Sequence, residues 1–462
     1  MCAGAGTPSL PGASSHRVSY GASPVARARQ IHRLKKWGAW YAVILLTVAY
    51  TFALIDRWII GLMVGPIKAD LGLNDTQFSL LQGIAFALFY CTVGIPIARL
   101  ADRSNRRNIV ATGIALWSLM TALCGLARNF VQLFLARVGV GVGEAALAPA
   151  AFSLITDLFP RNKVGRAIGA YQMGLFLGYG LSVILGGWLV GTLEQRPPLE
   201  FPLLGELSAW RATLVIVGLP GLVVALLCLT FREPVRQGAM EGGVPVPELI
   251  DFLKKNIAVY GNLVAAFCMI SLLFNAVLVW GAEYFIRIHE MPRATVGLRL
   301  GLIVGTFGCV GSVVGGLYAD YLHRRGDRGG TIRSSIVATL VLVPTAAVTS
   351  LIPDPDYSLL MYAPLLFFGS WVFPPAVMTL QLFTPPSMRA QTSAIYLFIV
   401  ALVSMGFGST SVALITDFVF ADDLMLHYSM AIVGAVSGLL GLFFLWRLLP
   451  IYRKAMAARN LP

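Results

Sequence analysis

The feature that most constrains this chain is a run of 18 or more mostly apolar residues, bounded by charges or by Pro/Gly clusters, that recurs twelve times. The runs begin near Trp37, Gln77, Arg107, Phe130, Val164 and Trp210 in the first half, and near Ile257, Thr295, Ile332, Leu359, Arg389 and Leu424 in the second. At about 1.5 Å of rise per residue, runs of roughly 20 to 28 residues cross a hydrocarbon core of about 30 Å with some tilt. No alternating ten-residue pattern argues for a membrane barrel. The predicted fold class is an all-α membrane protein of twelve transmembrane helices, numbered here as spans 1 to 12.

Composition agrees with lipid as the solvent: 57% of the 462 residues are hydrophobic and only 12% are charged, against about 25% charged in soluble domains. Six cysteines, Cys2, Cys91, Cys124, Cys228, Cys268 and Cys309, show no CxxC spacing, and five lie in apolar runs. They read as small hydrophobes, and neither disulfides nor a thiol metal site is expected. The net charge of +13 does not point to nucleic acid, because the basic residues sit in short runs between spans.

Those runs give a topology. Arg103, Arg106 and Arg107 follow span 2, and Arg161, Lys163 and Arg166 follow span 4. Lys254 and Lys255 precede span 7, Arg324, Arg325 and Arg328 follow span 8, and Arg453 and Lys454 follow span 12. The opposite loops carry Asp70, Asp75, Glu194, Glu200, Glu206, Asp354, Asp356, Asp422 and Asp423. The positive-inside rule then predicts a multi-pass protein of the cell membrane with both termini in the cytosol.

Residues 1–36, rich in Ser, Gly, Pro and Ala and without an apolar signal core, read as a disordered, uncleaved cytosolic tail. Residues 232–256 contain Pro234, Gly242, Gly243, Pro245 and Pro247 and read as a cytosolic linker. The linker divides an N-terminal six-helix bundle, 37–231, from a C-terminal one, 257–450, with 451–462 as a second cytosolic tail. The halves echo each other: Ala101-Asp102 follows span 2 and Ala319-Asp320 follows span 8, while Arg166-Ala167 opens span 5 and Arg389-Ala390 opens span 11. Two parallel six-helix pseudo-repeats around a central cavity are the plan of one large class of secondary transporter.

The loop after span 2 reads Ala98-Arg-Leu-Ala-Asp102-Arg103-Ser-Asn105-Arg106-Arg107, and resembles the G-x-x-x-D-R-x-G-R-R signature of the major facilitator superfamily. Ala98 and Asn105 replace its two glycines. The counterpart after span 8, Gly316-Leu-Tyr-Ala-Asp320, keeps the first glycine, and Arg137-Val-Gly-Val-Gly141 in span 4 is similar to the R-x-x-x-G motif. Asp56-Arg57, Leu81-Gln82, the Asp-Arg-x-Asn-Arg loop and Gly143-Glu144-Ala145 resemble the Spinster-like group. That resemblance implies a carrier of lysophospholipids or sphingoid phosphates. The Asp-Arg pair in span 1 is also similar to that of the superfamily's organic-anion symporters, which leaves a small sugar acid or carboxylate as a second substrate class.

Ionisable side chains inside a membrane pair, face water or act on a substrate, since each costs at least about 2.5–3.5 kcal/mol there. Asp56 and Arg57 lie well inside span 1; Arg137 and Glu144, two turns apart in span 4, share one helix face about 10.5 Å apart. These four are predicted to converge in the first half, with the carboxylates loading protons and the arginines holding an anionic headgroup. The alternative is a set of fixed pairs tying spans 1 and 4 together. Asp102, Arg103, Arg106 and Asp320 are predicted as a conformational latch between the halves; here the alternative is that the arginines only set topology. In the second half, Glu283 and Asp417 read as solvated rim residues.

No enzyme is expected. All five histidines, His16, His32, His289, His323 and His427, fall in tails, loops or span ends, and no G-x-x-x-x-G-K-[ST] occurs. No cofactor or metal is predicted. The expected partners are the lipid bilayer, a small-molecule and possibly amphiphilic substrate, and protons, without nucleic acid; the fold works as a monomer. A non-transporting membrane sensor or scaffold is the remaining alternative, and it would tolerate loss of Asp56 and Glu144.

Overall fold

The computed structural model describes residues 24–159, 161–196, 199–201, 205–234, 245–385 and 387–458. Among them are twelve helices long and apolar enough to cross a membrane. Spans 1 to 6 are Gly38–Leu62, Asp75–Gly94, Arg106–Cys124, Phe130–Leu158, Ala167–Glu194 and Ala209–Cys228. Spans 7 to 12 are Ile257–Arg287, Arg293–Arg324, Gly330–Thr349, Pro355–Phe383, Gln391–Phe420 and Asp423–Ala458. Every predicted start lies within a few residues of an observed one, because burial of backbone polar groups in lipid leaves the helix as the one local solution for such runs. The chain is an all-α membrane protein of the twelve-helix, two-bundle kind.

Local departures from the sequence reading have local causes. The helix of span 1 begins at Pro24, inside the stretch read as a disordered tail, where alanine, arginine and glutamine favour helix. The described part of the linker contains an amphipathic helix, Val246–Lys255; Leu249 is buried, and Phe252 meets Tyr260 edge to face with ring centroids 5.9 Å apart. Between spans 5 and 6, Leu199–Phe201 pairs antiparallel with Gly205–Leu207, a ribbon too short to leave a strand signature in the sequence.

Several spans are interrupted. Span 1 is α-helical to Trp58, continues as a 3₁₀ turn over Ile59–Leu62, and is followed by the short helix Val64–Leu71, which ends at left-handed Gly72. Span 4 is helical over Phe130–Glu144 and again over Leu147–Leu158. Both breaks therefore fall beside a charged residue, Arg57 in one case and Glu144 in the other. Irregular backbone at membrane depth is tolerated where protein side chains satisfy it or where it lines a cavity.

The halves meet where spans 5 and 8, 2 and 11, and 1 and 7 pack against one another. Lipid tails are as apolar as leucine, so such contacts rest on close packing rather than on a hydrophobic drive. At Gly187 of span 5 an added Cβ would lie 2.5 Å from the Arg293 carbonyl oxygen and 2.7 Å from the Cα of Gly297 in span 8. Only glycine permits that approach. Below, the membrane face that carries the termini is the terminal side and the opposite face is the far side.

Candidate functional site

The break in span 1 frees backbone carbonyls at the end of its α-helical part, and side chains from three other spans take them up. Ser182 Oγ donates to the Ile55 carbonyl at 3.1 Å. Arg137 donates through Nη1 to the Asp56 carbonyl at 3.3 Å and through Nη2 to the Arg57 carbonyl at 3.2 Å. Gln82 Nε2 adds a longer bond, 3.4 Å, to the Arg57 carbonyl. The negative end of a helix dipole thus meets a guanidinium inside the membrane.

The neighbouring Arg57 side chain forms an ion pair with Glu144: Nε donates to Oε2 at 3.0 Å, and Nη2 donates to the same oxygen. Its guanidinium lies over the rings of Phe86, 4.3 Å from the centroid, and Tyr90, 5.1 Å, a cation–π arrangement that partly replaces lost hydration. Tyr50 stacks on Tyr171 at 4.9 Å, and Phe152 meets Tyr171 edge to face at 5.5 Å. Among the described residues, Glu144 Oε1 and the Tyr171 hydroxyl have no hydrogen-bond partner. Trp117 Nε1 and Thr121 Oγ1 lie beside the Asp56 carboxyl as its nearest hydrogen-bond donors.

The structure therefore brings Asp56, Arg57, Arg137 and Glu144 into one cluster but gives them unequal surroundings. Arg137 is 1% exposed and engaged with backbone, whereas the Arg57 side chain is 13% exposed. Arg137 caps the α-helical part of span 1, and of the two arginines expected to hold a headgroup Arg57 is the more exposed. The reason is the helix break, which creates carbonyl acceptors that an unbroken helix would not offer.

On the terminal side, Arg106 is 2% exposed and its contacts are all in or next to the first half. It donates to Asp157 at 2.5 Å, Ser153 at 2.8 Å and Glu233 at 2.8 Å. It clamps the start of span 3 to the end of span 4 and to the chain beyond span 6, so in this conformation it is not a bond between the halves. Asp320 is exposed, and among the described residues its carboxylate has no partner. The side chains of Asp102 and Arg103 lie outside the described residues. Asn105, where the signature has glycine, is the N-cap of span 3: its side chain accepts from the Asn108 N–H at 3.0 Å. In the second half, Asp327 accepts from Arg453 and Arg333 at 2.8 and 2.9 Å. Burial works against its ionisation, but the Arg453 and Gly329 hydrogen bonds outweigh it and hold the carboxyl below its ordinary range.

The far side carries a second set of charges that the sequence reading treated only as topology signals. Asp75, fully buried at the start of span 2, accepts from Arg287 of span 7 at 2.7 and 3.0 Å and from Lys68 at 2.7 Å. Lys68 also reaches Asp423 at 2.6 Å, the Thr76 N–H donates to Asp417 at 2.6 Å, and Arg293 donates to Glu194 at 3.1 Å. Glu283, expected at a solvated rim, is 3% exposed and pairs with Arg287 at 3.1 Å. It is covered because the halves close over it. Between described residues, every hydrogen bond and ion pair that joins the halves lies from the level of Tyr179, which donates to the Leu278 carbonyl, out to the far face. These contacts hold the two halves together on the far side.

A twelve-span, two-bundle fold with a buried ion pair between spans 1 and 4 is the plan of a secondary transporter. The family model of the Major Facilitator Superfamily matches residues 46–409, and the chain belongs to that superfamily. Within it the chain resembles the Spinster group. It superposes with a TM-score of 0.74 on the crystal structure of a bacterial homolog to the human lysosomal transporter Spinster, in an inward-facing and unoccupied conformation. The two are 27% identical, over 92% of this chain and 98% of that one. An MFS-type efflux pump of Mycolicibacterium smegmatis is 28% identical over 90% of this chain and 94% of its own. A probable L-galactonate transporter of Escherichia coli is 26% identical over 72% of each. The protein is a membrane transporter and not an enzyme.

Proposed function

We propose that the protein works by alternating access, linked to protons, and moves an amphiphilic molecule with an anionic headgroup, of the lysophospholipid or sphingoid kind. The observation that carries this reading is the Arg57–Glu144 pair beside the buried Asp56 carboxyl, which among the described residues has no ion-pair partner. A buried carboxylate is held ionised by a neighbouring guanidinium and becomes protonated once that partner leaves. An anionic headgroup drawn to Arg57 competes with Glu144, and Glu144 then takes up a proton. Substrate and proton thereby load together, the headgroup on Arg57 and the proton on Glu144. The aromatic faces of Tyr50, Tyr90 and Phe152 beside the pair offer an apolar wall to the rest of an amphiphile.

In this reading the termini lie in the cytosol and the far side faces outward, and the ion pairs that join the halves there support a state closed to the outside. In this reading the protein acts as a monomer. Asp102 and Asp320 form their latch only when the terminal side closes.

The test is uptake into proteoliposomes of a fluorescent lysophosphatidic acid and of radiolabelled galactonate, with and without an imposed pH gradient. Gradient-driven movement of the lysolipid that falls more than tenfold in Glu144→Gln supports the reading. Equal, gradient-independent transport by wild type and variant overturns the coupling. Movement of galactonate alone favours the second reading, a proton-coupled symporter of a small organic anion, for which the similarity to the probable L-galactonate transporter is the specific support.

A further inference from the structure

Arg293, the first residue of span 8, is absorbed by neither the charged centre nor the Asp75 cluster. It makes two contacts across the seam. Its Nη1 reaches Glu194 at the end of span 5 at 3.1 Å, and its Nε reaches the Leu62 carbonyl at 3.3 Å. Leu62 is the last residue of the 3₁₀ turn that begins two residues after Arg57. The second half also covers this turn at Gly61, whose added Cβ would lie 3.5 Å from the Val279 carbonyl oxygen. Just beyond, an added Cβ at Gly65 would lie 3.1 Å from Arg293 Nη2 and 3.8 Å from Glu283 Oε1.

The 3₁₀ turn is therefore capped at both ends by arginines from elsewhere. Arg137 of the first half holds the carbonyls before it, and Arg293 of the second half holds the carbonyl that ends it. The two caps differ in what rocking of the halves does to them. The Arg137 cap lies within one half and survives; the Arg293 cap spans the seam and is lost when the far side opens. Once lost, the Leu62 carbonyl regains a donor only if the turn rearranges, because Pro66, the residue an α-helix would set against it, has no N–H. That rearrangement begins two residues after Arg57 and so re-aims the outer part of span 1 relative to the Arg57 side chain.

We infer that Arg293 is a positioning residue that links the state of the far-side seam to the Arg57–Glu144 pair through the Ile59–Leu62 turn. The inference rests on the preceding proposal that release of Glu144 triggers the cycle. It needs Arg293 for the Leu62 cap rather than for its ion pair with Glu194, and this separates it from a simple strut.

The experiment is a double-mutant cycle on the conformational equilibrium of the full-length protein in nanodiscs. Spin labels are placed at Glu206→Cys and Tyr357→Cys, exposed far-side positions in opposite halves, in a background with the native cysteines replaced by alanine. Pulsed dipolar spectroscopy gives the fraction open on the far side, and monodisperse elution with native helicity qualifies each variant as folded. Glu144→Gln is expected to raise the open-to-closed ratio about tenfold in the parent and in Glu194→Gln, but less than twofold in Arg293→Gln. Gly65→Ala, which crowds Arg293 without removing charge, is expected to weaken the Glu144→Gln response in the same direction. An undiminished response in Arg293→Gln overturns the inference. So does an equal loss in Glu194→Gln, which would make Arg293 a strut. A Glu144→Gln that moves nothing even in the parent overturns the trigger itself, and the inference with it.

Discussion

The charged centre and the far-side seam use the same side-chain chemistry to opposite ends. At the centre, Arg57, Glu144, Arg137 and Asp56 all belong to the first half, so rigid movement of the halves leaves their contacts with one another intact. At the seam, Asp75–Arg287, Lys68–Asp423 and Glu194–Arg293 join the first half to the second, and each must break for the far side to open. A charge pair inside one rigid body responds to what binds it, whereas a pair between two bodies records their relative position. A transporter needs both, with a connection between them.

The comparison breaks most sharply at the centre. Glu144→Ala leaves Arg57 unpaired inside the membrane and should cost about 3–5 kcal/mol. Thermal unfolding in detergent checks this, and Arg57→Leu combined with Glu144→Ala should recover most of the loss. At the seam, Asp75→Asn weakens two charge-assisted contacts at once and should favour the far-side-open state by about 1.5–3 kcal/mol. Accessibility of a far-side cysteine to an impermeant maleimide should rise accordingly, with little change in melting temperature. Gly187→Ala should act in the same direction by about 1–3 kcal/mol through overlap at the span 5–span 8 crossing. An unchanged labelling rate would show that the helices can separate there without opening the seam.

Smaller effects are expected away from both regions. Asn105→Ala removes the N-cap of span 3 and should cost about 1 kcal/mol, while Asn105→Gly, which restores the signature residue, should cost only a few tenths. Asp327→Asn should cost about 1 kcal/mol or less, because Arg453 and Arg333 are more than a third exposed and screened. The sign with pH follows from its lowered value. The contribution is full above the ordinary carboxyl pKa of about 3.9 and fades as pH falls through the lower folded value. The wild-type melting temperature should therefore lose its advantage over Asp327→Asn only in strong acid.

What could be read in advance differs between the two regions for a physical reason. Asp56, Arg57, Arg137 and Glu144 stood out because a charge within an apolar run is costly and rare. Asp75, Lys68, Arg287 and Arg293 did not, because a charge at the end of a run is the ordinary sign of a membrane surface. Asp75 directly follows the N-cap Asn74 and looks like any acid in a first helical turn. The interruption at Ile59–Leu62 did not stand out either, since Trp58-Ile-Ile-Gly-Leu-Met is as apolar as the helix before it and its breaker pair, Gly65-Pro66, follows at the end of the run.

The sequence by itself determined the number of spans, their approximate limits and the division into two halves, since lipid forces each apolar run to close its own hydrogen bonds. It also marked the four ionisable residues that lipid does not readily accept. Only the tertiary structure decided their roles. Arg137 turned to backbone carbonyls because span 1 breaks where it does. Arg57 was left facing Glu144, and Glu283 was buried, because the two halves lean together on the far side. Those outcomes depend on contacts between helices distant in the chain, which no local pattern of residues records.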